Sequence, residues 1–309
     1  VSTEARHGTE RHRAIADENT ILRGQVGSGL HGVTTGADDR DEMGICIEPL
    51  KAVIGLEKFE QYIYRTQPDG ARSGPGDLDL CVYSLRKWTR LAADGNPSVL
   101  LMLWIPDEEL TVKTQLGAEL QASSELFVTK QAGRKFLGYL NSQREGLEGT
   151  HHRHTNRPEL IEQYGFDTKY AYHALRLGMQ GIQLLTERKL HLPMVKAHRD
   201  ALLRVRRGET SLPEVTSWLA DLTWSLEHFI STEPLADTPD WARINTWLVD
   251  IDGDDGVRVI ENDWDSNTLG WPSRWAKNPH GRSPKGLGLC RRTRVQAHPL
   301  QWQESAINE

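Results

Sequence analysis

The sequence predicts an α+β fold, with a small mixed-sheet unit first, a helical unit second and an irregular C-terminal extension. Two observations carry that prediction. Short apolar runs broken by turn residues fill the first third, and from about residue 115 apolar residues recur at helical spacing instead. The character changes again after residue 233, which places boundaries at 1–112, 113–235 and 236–309. With 309 residues the chain is long enough for two such units.

Taken in order, Ile21–Val26 reads as a strand running into the glycine turn Gly27-Ser28-Gly29. Gly44–Ile47 is a second strand, stopped by Pro49, and Leu78–Val82 a third. Gln67–Gly76 is a turn-rich, exposed loop. From Ser84 to about Ala93 the spacing predicts a helix with Leu85, Trp88 and Leu91 on one stripe, stopped at Asp94-Gly95-Asn96-Pro97. Ser98–Trp104 is apolar, and its period does not separate strand from buried helix. Tyr170–Thr186 carries Ala171, Leu175, Met179, Ile182 and Leu185 on one helical face. Thr210–Ile230 opens with a capping box at Ser211 and Glu214 and continues with Val215, Trp218, Leu219, Leu222, Leu226 and Phe229. Residues 231–240 read as a linker and Asn245–Glu261 as a hairpin around Asp252–Gly256. From Trp271 the chain is rich in Pro, Gly, Arg and Lys, and six of the ten tryptophans lie beyond residue 240. That tail is either an accessory acceptor-binding surface or an irregular appendage.

Composition excludes several classes. Lys and Arg total 37 against 43 Asp and Glu, a net charge of −6, so this is no globally basic nucleic-acid coat. No apolar run approaches the ~18 residues needed to cross a bilayer, which predicts no membrane partner. Val1–Arg13 lacks the apolar centre of a secretory leader. The three cysteines, Cys46, Cys81 and Cys290, show no CxxC spacing, which argues against disulfide frameworks and zinc knuckles and predicts a reducing, cytoplasmic setting.

The chemistry-bearing stretch is Gly27-Ser28-Gly29-Leu30-His31-Gly32, followed by Asp38-Asp39-Arg40-Asp41. A glycine turn after a strand exposes backbone N–H groups, and the Ser28 hydroxyl adds a donor, which together make a phosphate cradle. Asp39 and Asp41 stand at i and i+2 on an extended segment, so their carboxylates share a face and can hold one divalent cation. Carboxylates without imidazole or thiolate select Mg²⁺ or Mn²⁺. Asp79, entering the strand Leu78–Val82, would complete a two-metal site. His31 either reaches the phosphates or braces the turn. Lys169, His173 and Arg176 lie within about 60° on a helix. Spacing alone reads them as a solvated basic face. Arg86, Lys87 and Arg90 form a similar cluster on the helix after Asp79.

GSGLHG and DDRDEMGICIEP resemble the glycine-serine and Asp-x-Asp signature of the DNA polymerase β-like nucleotidyltransferase superfamily, and more narrowly of its RNA-repair-pathway polymerase β family of bacteria and phages. The resemblance continues through residues 77–104, 133–144 and 156–185, and covers about residues 20–230. It implies a nucleotidyltransferase domain over 1–112, with Ser28 in the triphosphate turn and Asp39, Asp41 and Asp79 as metal ligands. It also implies that Lys169, His173 and Arg176 meet the phosphates, where cations would neutralise the triphosphate or the departing pyrophosphate; Lys87 is the first of the other cations to test. Asp38 departs from the pattern, standing where many members have serine. The implied activity is metal-dependent transfer of an NMP from an NTP to an acceptor hydroxyl, an RNA end or other nucleic acid among the acceptors. The other function classes are a nucleotide or RNA-end binding module without catalysis and an antitoxin-like regulator that nucleotidylates a partner protein. His151-His152-Arg153-His154 reads as a polar loop rather than a metal site, and Asp250, Asp252, Asp254 and Glu261 as a turn rather than a calcium loop.

Overall fold

In the computed structural model, which describes residues 7–36, 38–68, 71–149 and 157–250, the apolar runs of the first third pair into one five-stranded sheet. Its strands are β1 (Thr20–Gln25), β2 (Arg40–Cys46), β3 (Gln61–Arg65), β4 (Leu78–Ser84) and β5 (Leu110–Lys113), in the order β3-β4-β2-β1-β5. The β2–β4 pair is parallel and the other pairs are antiparallel. With helices before, between and after the strands the fold is α+β. Sequence spacing did not reveal β3 or β5, both short and partly exposed; their pairing to neighbours holds them, rather than a buried apolar run of their own.

Alternation gives the sheet two different faces. Met43 and Ile45 of β2 point into the main core, while Cys46 of β2 and Leu80 and Val82 of β4 point to a smaller one. The smaller core is covered by Ile15 and Ala16 of α1 (Glu10–Asn19), a helix capped by Thr9 that the sequence reading did not include. A single helical turn, α2 (Gly27–His31), replaces the plain glycine turn, and α3 (Leu50–Val53) follows β2. Next come α4 (Leu85–Ala93), capped by Ser84, and α5 (Pro97–Leu100), capped by Asn96. The undecided segment Ser98–Trp104 is therefore helical, its last four residues forming a 3-10 turn.

The helical part consists of α6 (Gln115–Ala122), α7 (Lys130–Glu148), α8 (Pro158–Tyr164), α9 (Thr168–Glu187), α10 (Lys196–Arg206) and α11 (Leu212–Thr232). The capping box at Ser211 and Glu214 forms as the sequence predicts. α9 is the central helix, and small residues let its neighbours approach: a Cβ on Gly181 would stand 2.8 Å from Phe136 Cβ on α7. Opposite that face, α9 turns His173, Arg176 and Gln180 toward the sheet. Its apolar stripe joins the sheet's main core without a break.

The expected hairpin from Asn245 is corrected over its described part. Residues 241–250 are helical. Ile244 is buried, and Trp247 and Leu248 pack against the core at the i+3 and i+4 spacing a helix provides. The rest of that segment, the tail, Cys290 and His151–His154 lie outside the described residues.

Candidate active site

The parallel pairing of β2 with β4 sets Asp41 directly beside Asp79. Asp39 precedes β2 and shares the face of Asp41, so the three carboxylates converge, each offering an oxygen within 4.8 Å of the others. No imidazole or thiolate belongs to this group, and three carboxylates suit a hard divalent cation. Gly27 begins α2 directly against the cluster with φ +67°, and a Cβ there would lie 2.0 Å from Asp41 Oδ2. Only glycine can bring the Gly27-Ser28 backbone this close to the acidic group.

The carboxylates differ in environment. Burial, then the charges of Asp39 and Asp79, push Asp41 up from its ordinary 3.8 to about 6, with Lys169 opposing the rise. Asp79 moves the other way. Burial raises it, but hydrogen bonds from Ser73, Arg65 and Gln67 outweigh that and hold it below the usual carboxylate range. Arg65 Nε and Gln67 Nε2 donate to Oδ1 at 3.0 and 2.8 Å, and Ser73 Oγ donates to Oδ2 at 2.8 Å. The three donors fix the rotamer of Asp79 while Oδ2 keeps a lone pair for a cation.

A cleft of about 330 Å³ opens over the cluster, lined by Gly27, Ser28, His31, Asp38, Asp39 and Asp41 on the sheet side and by Arg157, Lys169, Tyr172, His173, Arg176 and Arg206 on the helical side. Of the residues singled out in the sequence, Gly27, Ser28, His31, Asp39, Asp41, Lys169, His173 and Arg176 thus meet in one place, with Asp79 adjoining through the carboxylate group. His31 is buried under the turn, its Nδ1 3.4 Å from Gln180 Nε2, and its backbone oxygen accepts from Met194 N–H at 3.3 Å. His31 thus braces the turn, and it also lines the cleft. Burial and the neighbouring Arg176 charge hold His31 and His173 well below the ordinary imidazole value, so both are neutral at pH 7. Arg176 donates to Gln180 Oε1 at 2.7 Å, yet its buried Nε has no partner. Arg176 also lines the cleft, and a guanidinium there fits an anion.

Sequence comparison agrees with this geometry: the profile of the RNA repair pathway DNA polymerase beta family matches residues 3–250. The chain belongs to that family. It is also 29% identical over 136 residues to an uncharacterized 38.9 kDa protein of the nrdC-mobD intergenic region of Enterobacteria phage T4. That match spans 42% of this chain and 40% of the phage protein. A solved nucleotidyltransferase-like protein from Exiguobacterium sibiricum 255-15 is similar over 71% of this chain and 73% of its own, at 11% identity and a TM-score of 0.28.

Lys87 is the correction to the expected site of this family member. It lies in the helix that follows the far end of β4, while Asp79 stands at the strand's beginning. There its ammonium donates to Gln61 Oε1 at 2.6 Å and Glu60 Oε2 at 3.2 Å. With Arg86 and Arg90 it lines a separate cavity of about 530 Å³ beside Glu48 and Phe59. The helix that carries it begins where the strand ends, so a strand length separates it from the carboxylates. Residues that spacing did not reveal are the Arg65, Gln67 and Ser73 donors, the cleft residues Arg157 and Tyr172, and Arg206, which pairs with Asp38 at 2.6 Å. Asp38 is thereby ion-paired and stands outside the convergent group, although its charge still adds to the rise at Asp41. No motif marks these residues; only the fold brings them in.

Proposed function

We propose that the protein transfers an NMP from an NTP to an acceptor hydroxyl with release of pyrophosphate, using Mg²⁺ or Mn²⁺ at a two-metal site held by Asp39, Asp41 and Asp79. The observation that carries this reading is the convergence of three carboxylates beside the Gly27-Ser28 turn, faced across one cleft by Lys169, His173 and Arg176. The bound cations would supply charge neutralisation at the phosphates and activation of the acceptor oxygen.

This chain's own residues do the rest. Gly27 and Ser28 present backbone N–H groups and a hydroxyl to the phosphates. Lys169 and the guanidinium of Arg176, both lining the cleft, offset the charge that gathers on the departing pyrophosphate. His173, kept neutral by burial and by Arg176, donates or accepts a hydrogen bond without adding charge. The acceptor hydroxyl attacks the α-phosphorus and the bond to the β-phosphate oxygen breaks, so positioning and electrostatics carry the reaction. In this reading 1–112 is the catalytic domain, 113–235 the helical domain that closes the phosphate side, and 236–309 the extension. We take an RNA end as the acceptor, a choice in keeping with a family of the RNA repair pathway, and a reducing cytoplasm as the setting.

The test is incubation with each α-labelled NTP, Mg²⁺ and total RNA, DNA or protein. Label should pass to RNA, and D39N and D41N should each abolish the transfer. Labelling of protein instead of RNA would favour the partner-modifying reading. NTP binding with no pyrophosphate released on any acceptor would favour a binding module.

A further inference from the structure

We propose that Arg206 is the positioning residue of the metal site, fixing Asp39 through an ion pair with Asp38 and so placing cation affinity under the control of α10. The proposal rests on the reading of Asp39, Asp41 and Asp79 as metal ligands. Two of those ligands are held by the sheet ladder, since Asp41 and Asp79 pair between β2 and β4. Asp39 is not: it lies before β2 begins at Arg40. On one side Asp39 is tied to the ladder through Arg40, whose N–H donates to the Asp77 carbonyl at 2.9 Å, so the hold on Asp38 is what fixes its other side.

Asp38 is fixed by Arg206. One guanidinium nitrogen donates to Asp38 Oδ1 at 2.6 Å and the other reaches Oδ2 at 3.4 Å. The second nitrogen also donates to the Val33 carbonyl, so one side chain ties both ends of the link between the phosphate turn and Asp39. Thr35 N–H completes the site at Asp38 Oδ2, at 2.6 Å. The guanidinium lies over the Tyr172 ring, 5.3 Å from its centroid, which fixes its plane. Arg206 and Asp38 side chains are each only 11% exposed, so either charge without the other would be stranded away from water. Asp38 does not join the convergent carboxylate group, and its oxygens are engaged by these donors. Its charge serves to anchor, not to ligate.

The experiment measures Mn²⁺ affinity by electron paramagnetic resonance on the full chain and on R206Q, R206K, D38N and D38N/R206Q, with D39N as the ligand-loss control. Hydrogen exchange at Val33 and Thr35 is followed on the metal-free proteins. R206Q and D38N should each weaken Mn²⁺ binding by about 10- to 100-fold and speed exchange at Thr35. They should lower kcat more than they raise KM for NTP. The double variant should bind no more weakly than the worse single one, and R206K, which keeps the charge but loses the fork, should fall between native and R206Q. Native Mn²⁺ affinity in both single variants would overturn the proposal, whether or not their melting temperatures drop. R206Q is the variant at risk of misfolding; D38N, which keeps shape, carries the test if it does. Native protein that binds no Mn²⁺, or whose binding survives D39N, would remove the ligand reading itself, and the proposal with it.

Discussion

Asp41 is the residue under the greatest electrostatic conflict. Burial and two neighbouring carboxylates raise it to about 6. A carboxyl whose folded value exceeds its unfolded one stabilises the fold fully below about pH 4 and loses that contribution as pH rises through 6. At pH 7.5 the metal-free protein therefore carries a strained charge at the centre of its site. Solvent reaches this carboxylate, so the cost is about 1 kcal/mol rather than the full value for a dry site. D41N should raise the melting temperature of the metal-free protein at pH 7.5 by about 2–4 °C and leave it unchanged at pH 4, while abolishing transfer. Mg²⁺ should raise the melting temperature of the native chain at pH 7.5 but not that of D41N. Calorimetry with and without chelator decides it, and equal melting of the two metal-free proteins at pH 7.5 would show that the conflict is absent. At this scale the sequence was informative where chemistry is local: the i, i+2 spacing of Asp39 and Asp41 and the adjoining glycines could be read directly. Arg65 and Arg206 could not, because each meets its aspartate only through the fold, 14 and 168 positions away.

Among elements, the parallel β2–β4 pair organises the function. Two parallel strands send their N-terminal ends, with Asp41 and Asp79, to one edge of the sheet and Ser84 to the other. Helix α4 starts at that far edge, which is why its cations cannot serve the carboxylates, whereas α9 runs past the near edge and presents Lys169, His173 and Arg176 to them. Two helices of similar basic character therefore have opposite consequences. K87A should leave kcat/KM within about twofold and cost under about 1 kcal/mol of stability, the ordinary range for a partly exposed ion pair. R176A should lower kcat/KM by about a hundredfold, as the loss of one preorganised donor does. Steady-state kinetics with a labelled NTP separates the two, and equal losses would mean that the α4 end of the sheet also touches substrate. Helical periodicity revealed α9 and α11 because long amphipathic stripes are an averaged signal. The short edge strands β3 and β5 gave too few residues for an alternation to register, and the sheet order that separates Lys87 from Asp79 is written in no local pattern.

For the whole molecule, the sheet and the helices share one continuous core, and its last contributors come from the segment expected to be a hairpin. Trp88 of α4 meets Phe127 edge-on at 5.3 Å between ring centroids, and Phe127 in turn meets Trp247 at 5.8 Å. Ile244, one turn earlier on the same helical stretch, is 1% exposed. Arg134 and Asp237 pair at 3.1 Å, and Lys130 N–H donates to the Ala236 carbonyl at 2.9 Å, so the chain is led back onto α7 before that stretch begins. Part of the tryptophan excess near the C-terminus is thus accounted for: Trp247 closes the core of the family-matched region, which ends at residue 250. A chain stopped after residue 250 keeps every described contact of this stretch and is the reference for the comparison. A chain stopped after residue 240 uncovers Phe127 and should lose about 3–5 kcal/mol, the cost of removing a large buried aromatic and its neighbours. The single substitution W247A should fall between the two. Urea unfolding of the three proteins checks the order. Equal stability of the chains ending at 240 and 250 would show that the last helical stretch rests on the core without supporting it.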